Sequence, residues 1–362
     1  MSQIRATPFH SRTSEANRLN AWTNRNGWTL AAHYGDPSAE CIAARASAVV
    51  ADISWRSRIV IEGARAEEFL SRLMTRNPAK LAPGNAFKAL WLTDHGGVRG
   101  AGVLARFGRE AFQLIATESD IDWVTRSAAL FDVQAREIVD EEGGLTVIGP
   151  YARKIVEAAG FDGALEALMF RKSFWRGFDV TLSRFGEHGG YELWCKADDA
   201  PIVWSRIAKA GKSFALRPAG LNAMDVLDLE AGVPRPGRDY RAARDAFAAS
   251  PSPYELGLES LVDADYELFN GRTAFLSMPR ARTRVGIEWD DETFAPNTPL
   301  LRNGARVGET MSSGYSPALQ RAIALATVET SAADPGTQLT ISGKSVRVAA
   351  LPFLPAPDPI GE

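Results

Sequence analysis

The sequence predicts an α+β chain, two mixed modules of ferredoxin-like grammar followed by a small C-terminal β-barrel. Three observations carry that class. Strand and helix patterns run through one strand–helix–strands–helix cycle, and a second cycle repeats it. After about residue 278 helical periodicity stops, and short strands split by Gly, Asn and Pro turns take over. The chain has 362 residues, 45% hydrophobic and 23% charged, which is globular composition with material for more than one core.

Taken in order, the first 45 residues read as irregular and helical, with Trp22, Trp28 and a turn at Gly35-Asp36-Pro37. Residues 58–62 alternate as a strand, and residues 65–74 place Phe69, Leu70 and Leu73 on one helical face. Strands at 86–93 and 102–107 join through Asp94-His95-Gly96-Gly97, followed by a strand at 112–117 and a helix at 120–130. The second cycle places strands at 145–148, 179–184 and 191–196, with helices at 151–159 and 200–209. A further helix at 221–229 stops at Gly232, and GVPRPGRDY then reads as an extended crossing segment. The expected modules are 48–145, then 1–47 with 146–277, then 278–362.

Composition excludes several functions. Net charge is −3, so no general basic field exists to hold nucleic acid or an anionic membrane. Cys41 and Cys195 lie far apart, which argues against a disulfide framework or a Cys-rich zinc site. The N-terminus has no apolar segment of the secretory kind, and no apolar run is long enough to span a bilayer. A cytoplasmic protein acting on a small molecule is expected, with no signal for its oligomeric state. The 33 Arg against 8 Lys fit a genome bias, with the alternative that some arginines fork onto carboxylates.

No dinucleotide-binding glycine motif, P-loop or nucleophile elbow occurs. The glycines at 96, 97, 100 and 102 precede no helix and read as a hairpin turn with close backbone approach. His10, His33, His95 and His188 have no ligand-like spacing, so no metal is expected.

Three stretches together resemble the aminomethyltransferase (glycine cleavage T-protein) family. The first is Ala51-Asp52-Ile53-Ser54-Trp55, with Leu73-Met74-Thr75 and Lys80-Leu81-Ala82-Pro83-Gly84 after it. The second is Gly220-Leu221-Asn222-Ala223-Met224-Asp225 running into Leu229-Glu230-Ala231-Gly232. The third is Val307-Gly308-Glu309 with Ser312-Ser313-Gly314-Tyr315-Ser316-Pro317, closing on Pro352-Phe353. The resemblance runs from about residue 20 to 355 in the family's order. It implies a three-domain cloverleaf around a central channel for tetrahydrofolate, and one-carbon chemistry on a small substrate.

The chain departs from that family at its chemistry. The Asp-Asp pair that activates the folate-linked reaction in the aminomethyltransferases is here Gly100-Ala101. A family Asn becomes Thr117, and the folate loop is shortened to residues 184–192, where Glu187 survives as the folate glutamate or His188 replaces it. Glu192 closes that loop as a second cofactor-side carboxylate, beside Tyr191 on the substrate side. The usual Ala-Arg-Asp is Ala223-Met224-Asp225. Each lost partner of a buried pterin donor costs about 1–3 kcal/mol, which weakens the expectation of folate dependence.

Candidate catalytic residues are His188, a base suited to neutral pH, with Tyr240, Tyr34 and Asp94. Candidate substrate contacts are Trp55 as an aromatic wall, Arg99, Arg235, Thr117 and Tyr191. For each, packing or solvation is the alternative. The resulting expectation is an enzyme that removes a one-carbon unit from a small aromatic substrate, releasing a hydroxymethyl group as formaldehyde. His188 or a tyrosinate such as Tyr240 takes the alcohol proton. The alternatives are a tetrahydrofolate-dependent O-, N- or S-demethylase, and a non-catalytic folate or ligand sensor.

Overall fold

The computed structural model describes residues 5–175, 177–243 and 250–357. Two mixed α+β layers and a closed barrel make up the molecule, in the expected α+β class. In the first layer the five strands run in the order Ala86–Leu92, Val98–Arg106, Ala111–Ala116, Ser57–Glu62, Gln134–Glu137. Helices Ala66–Leu73 and Ile121–Ala128 cover one face, burying Phe69, Leu70, Leu73 and Val124 against Ile59, Ile61, Leu104, Phe112 and Leu114. Helix i, i+3/i+4 spacing meets strand alternation there, as the sequence periodicities require.

The second layer is six-stranded, in the order Phe170–Trp175, Phe178–Ser183, Tyr191–Lys196, Glu142–Ile148, Val49–Asp52, Arg217–Pro218. The strand Val49–Asp52 pairs with Glu142–Ile148, so residues at the start of 48–145 belong to this second sheet. Helices Ala152–Ala158 and Ala200–Gly211 pack on one face of it. Helices Pro37–Ala46 and Leu221–Glu230 pack on each other and on Val49, Ala51 and Ile148. Asp36 caps the former by accepting from the Ser38 amide at 2.9 Å, with Pro37 in the first turn. The latter stops where expected, because Gly232 adopts φ +69° just past its end.

The opening 45 residues are more ordered than the sequence suggests. Besides two helices they form a small sheet of Arg5–Ala6, Trp28–Ala31 and Trp22–Arg25. The barrel joins six antiparallel strands from Arg282–Trp289 to Lys344–Ala349. Arg284 on the first barrel strand is part-buried and donates to the carbonyls of Gly232 and Gly257. Among the described residues no helix is long and apolar enough to cross a membrane.

Candidate functional site

Two cavities open side by side where the layers meet. The smaller, of about 490 Å³, is walled by Tyr34, Asp52, Trp55, Leu221, Met224, Asp225 and Asp228 among others. The larger, of about 740 Å³, has apolar walls from Val103, Ile115, Phe185, Leu258 and Leu261 and polar groups from Lys88, Thr117, Glu187 and Glu192. Arg56 and Arg235 line both, so the compartments meet at two guanidinium groups. Both volumes suit small organic reactants.

Local sequence explains how these groups are presented. The strand Val49–Asp52 delivers Asp52 and runs into the turn that carries Trp55 and Arg56. The helix Leu221–Glu230 carries Asp225 and Asp228 three residues apart, on one face. The crossing segment after Gly232 brings Arg235 back over that helix. Its guanidinium forks onto Asp228, Nε to Oδ2 at 2.9 Å and Nη2 to Oδ1 at 2.6 Å. Arg25 forks onto Asp225 at 2.7 and 3.1 Å, and Arg56 reaches Glu192 at 2.7 Å. Both Arg25 and Arg56 also lie over the Trp55 ring, at 5.2 and 6.0 Å from its centroid.

Electrostatics follow from these pairs. Burial raises the Asp228 carboxyl, but the Arg235 charge and the His188 contact outweigh it and hold the group well below the usual carboxylate range. Burial, reinforced by Asp52 and Glu40, pushes the Tyr34 phenol far up. Tyr34 therefore faces the smaller cavity as a hydroxyl donor and not as a base.

The structure gathers Tyr34, Trp55, Thr117, Glu187, Glu192 and Arg235 around the two cavities. Glu187 is salt-bridged to Lys88, and Glu192 accepts from Arg56 and from the Trp194 indole at 3.3 Å. Five other residues stand elsewhere. His188 is buried with Nε2 at 2.9 Å from Asp228 Oδ1, the oxygen that also accepts from Arg235, and lines neither cavity. Tyr240 packs in an apolar cluster with Tyr254, Leu256 and Met311. Asp94 sits in the exposed hairpin turn, held by Asn270 at 2.6 Å. Tyr191 is core, its hydroxyl donating to the Gly163 carbonyl at 2.6 Å. Arg99 is consumed by a bidentate grip on Asp120 at 2.7 and 2.8 Å and lies over Trp123.

Sequence reading missed Arg25, Asp52, Arg56, Lys88 and Asp228. The i, i+3 pair Asp225/Asp228 carried a legible signal, whereas the arginines join the site only through tertiary pairing. Among the described residues no group of three or more His, Cys, Asp or Glu side chains is placed to hold a metal.

Position 100 is closed to larger residues. A Cβ on Gly100 would overlap the six-membered ring of Trp91, whose Nε1 donates to Asp120 at 3.0 Å. The close approach expected of this glycine-rich turn is thus made by an indole.

Fold and site together define an α+β protein of two layers and a C-terminal barrel, with a double cavity of small-molecule size where the two layers meet. Residues 10–265 match the GCVT N-terminal domain model, and residues 282–356 match the glycine cleavage T-protein C-terminal barrel domain model. The chain belongs to the glycine cleavage T-protein family of aminomethyltransferases. An aminomethyltransferase of Saccharopolyspora erythraea is 31% identical over 98% of this chain and 99% of its own. One from Thermotoga petrophila is 30% identical over 84% of this chain and 85% of its own. The crystal structure of glycine cleavage system aminomethyltransferase T from Bartonella henselae superposes with a TM-score of 0.86. It is 25% identical and covers 98% of this chain and 99% of its own.

Proposed function

We propose that this chain is a one-carbon transferase that takes its donor in the smaller compartment and tetrahydrofolate in the larger. The observation that carries this reading is the double cavity meeting at Arg56 and Arg235, since a transfer needs two reactants side by side. The relatives' aminomethyltransferase activity favours transfer over release.

The larger compartment fits a reduced pterin chemically. Glu187 and Glu192 offer acceptors for ring N–H groups, and a carboxylate has about four lone-pair sites, so their existing partners leave capacity. Val103, Ile115 and Phe185 supply apolar wall for the ring. When bound, the cofactor supplies nitrogens that accept the one-carbon unit. The chain's own part is to orient and to exclude water. Trp55 walls the donor, Tyr34 donates a hydrogen bond, and Arg235, braced by Asp228 and His188, faces developing negative charge at the junction. Gly100 and Ala101 contribute no acid, so the activating pair of the glycine-cleaving relatives is not reproduced and glycine is not the expected donor.

Isothermal titration with tetrahydrofolate, followed by product analysis on methylamines, sulfonium compounds and aryl methyl ethers, tests the proposal. Binding with formation of a one-carbon folate is expected. No folate binding together with donor turnover would overturn it.

A second reading, release of a hydroxymethyl group as formaldehyde from a small aromatic alcohol, is favoured by one observation. The indole over Gly100 closes the place where a folate-activating acid would stand. Formaldehyde assays on aryl-diols with and without tetrahydrofolate separate the two, because only release proceeds without the cofactor.

A further inference from the structure

Three carboxylates line the smaller compartment: Asp52, Asp225 and Asp228. Asp225 is forked by Arg25 and Asp228 by Arg235, so each already has a guanidinium partner. Asp52 is held differently. Its hydrogen-bond partners among the described residues are neutral: the Thr7 hydroxyl donates to Oδ2 at 2.6 Å, and the Ser54 hydroxyl and amide donate to Oδ1 at 2.7 and 3.0 Å. Ser54 Oγ in turn accepts the Gly144 amide at 3.1 Å, which aims its proton at the carboxylate. Leu145 pairs with Asp52 across the strand ladder, so the backbone beneath it is pinned as well. The two Ser54 donors fill Oδ1, so Oδ2, with Thr7 as its one donor, keeps acceptor capacity on the cavity wall.

We propose that Asp52 is the residue that exchanges a proton with the reactant in the smaller compartment, the task for which positions 100 and 101 carry no acid. The inference rests on the one-carbon reading above. As the bond between the donor heteroatom and the one-carbon unit breaks, the heteroatom keeps the bonding pair and takes a proton from the neutral Asp52 carboxyl. The carboxylate left behind takes up the proton that the accepting nitrogen loses when it bonds the one-carbon unit, so the residue ends as it began. Around Asp52, Tyr34 shares the cavity wall and His10 acts from the N-terminal helix. The charged groups of the other walls are Arg56 and the two forked pairs Arg25–Asp225 and Arg235–Asp228. Burial pushes the Asp52 carboxyl up against the hydrogen bonds of Thr7 and Ser54, in the direction that proton exchange near neutral pH needs.

Two arms test this. Thermal unfolding of wild type and Asp52→Asn from pH 4 to 8 needs no substrate. A carboxyl raised in the folded state loses its stabilising contribution as pH rises through its folded value, so the Tm of D52N is expected to gain on wild type as pH increases. Parallel pH profiles would overturn the proposal. With whichever donor the product assays identify, D52N is expected to lower kcat about 10²–10⁴-fold with little change in KM. Asp52→Glu should recover part of the rate with a displaced pH profile. If wild type turns over and D52N matches it, the proposal falls while the one-carbon reading stands. If wild type turns over no donor, that reading falls, and the thermal arm alone decides whether Asp52 titrates.

Discussion

Gly100 shows how much one residue decides in this chain. Trp91 fills the space above it, and Trp91 is itself fixed by Asp120, which Arg99 grips from the other side. Overpacking costs about 1–3 kcal/mol and more where the neighbour is pinned. Gly100→Ala is therefore expected to lower the urea midpoint, and to cost much less when made in a Trp91→Leu background, which is itself destabilised by loss of the buried indole. Asp228 is the second residue of this kind. Removing one member of a buried pair costs about 3–5 kcal/mol, because the partner is left uncompensated. Asp228→Ala should lose stability on that scale by denaturant titration, with Arg235 stranded. The depressed Asp228 carboxyl contributes stability that is present above about pH 4 and lost as pH falls below it. Asp228→Asn should accordingly show a flatter acid limb in Tm against pH than wild type.

The helix Leu221–Glu230 is the element that ties site to scaffold. Its Asp225 and Asp228 face the cavity, while Glu230, fully buried, accepts from Arg45 at 2.9 and 2.5 Å and from the Ser316 hydroxyl of the barrel at 2.6 Å. Glu230→Ala should cost about 3–5 kcal/mol and loosen the barrel, read as faster limited proteolysis near residue 316. The helix was legible from Gly220 to Gly232 because its capping chemistry is local. Arg25, Arg45 and Arg56 could not be read as partners, since they approach from segments about 200, 185 and 136 residues away along the chain from Asp225, Glu230 and Glu192. Arg99 misleads in the opposite sense. Its place beside the glycine turn suggested a substrate clamp, and only the folded layer shows that Asp120 already occupies its fork.

At the scale of the whole molecule, one apolar cluster crosses all three parts. Leu90, Leu92 and Val98 of the first layer meet Leu229 of the helix, Phe269 and Phe275 of the following segment, and Met311, Ile323 and Leu325 of the barrel. Such a shared core couples modules that would otherwise unfold separately. Leu325→Ala should cost about 2–5 kcal/mol, and calorimetry should show one transition moving down as a unit. Two separated transitions would show instead that the barrel folds independently.

Local pattern alone determined the α+β class, the two strand–helix cycles and the closing barrel, because periodicity and turn chemistry act over a few residues. The family resemblance rests separately on the quoted motifs and their order along the chain. Tertiary structure decided the site. It consumed Arg99, Tyr191 and Tyr240 in packing, placed His188 behind Asp228, and set Asp52, part of a family-like motif, on a cavity wall among neutral hydrogen-bond partners. The reason is physical: whether an ionisable side chain is a brace or a reagent depends on which counter-charge reaches it and how much water remains, and both arrive from distant segments of the chain.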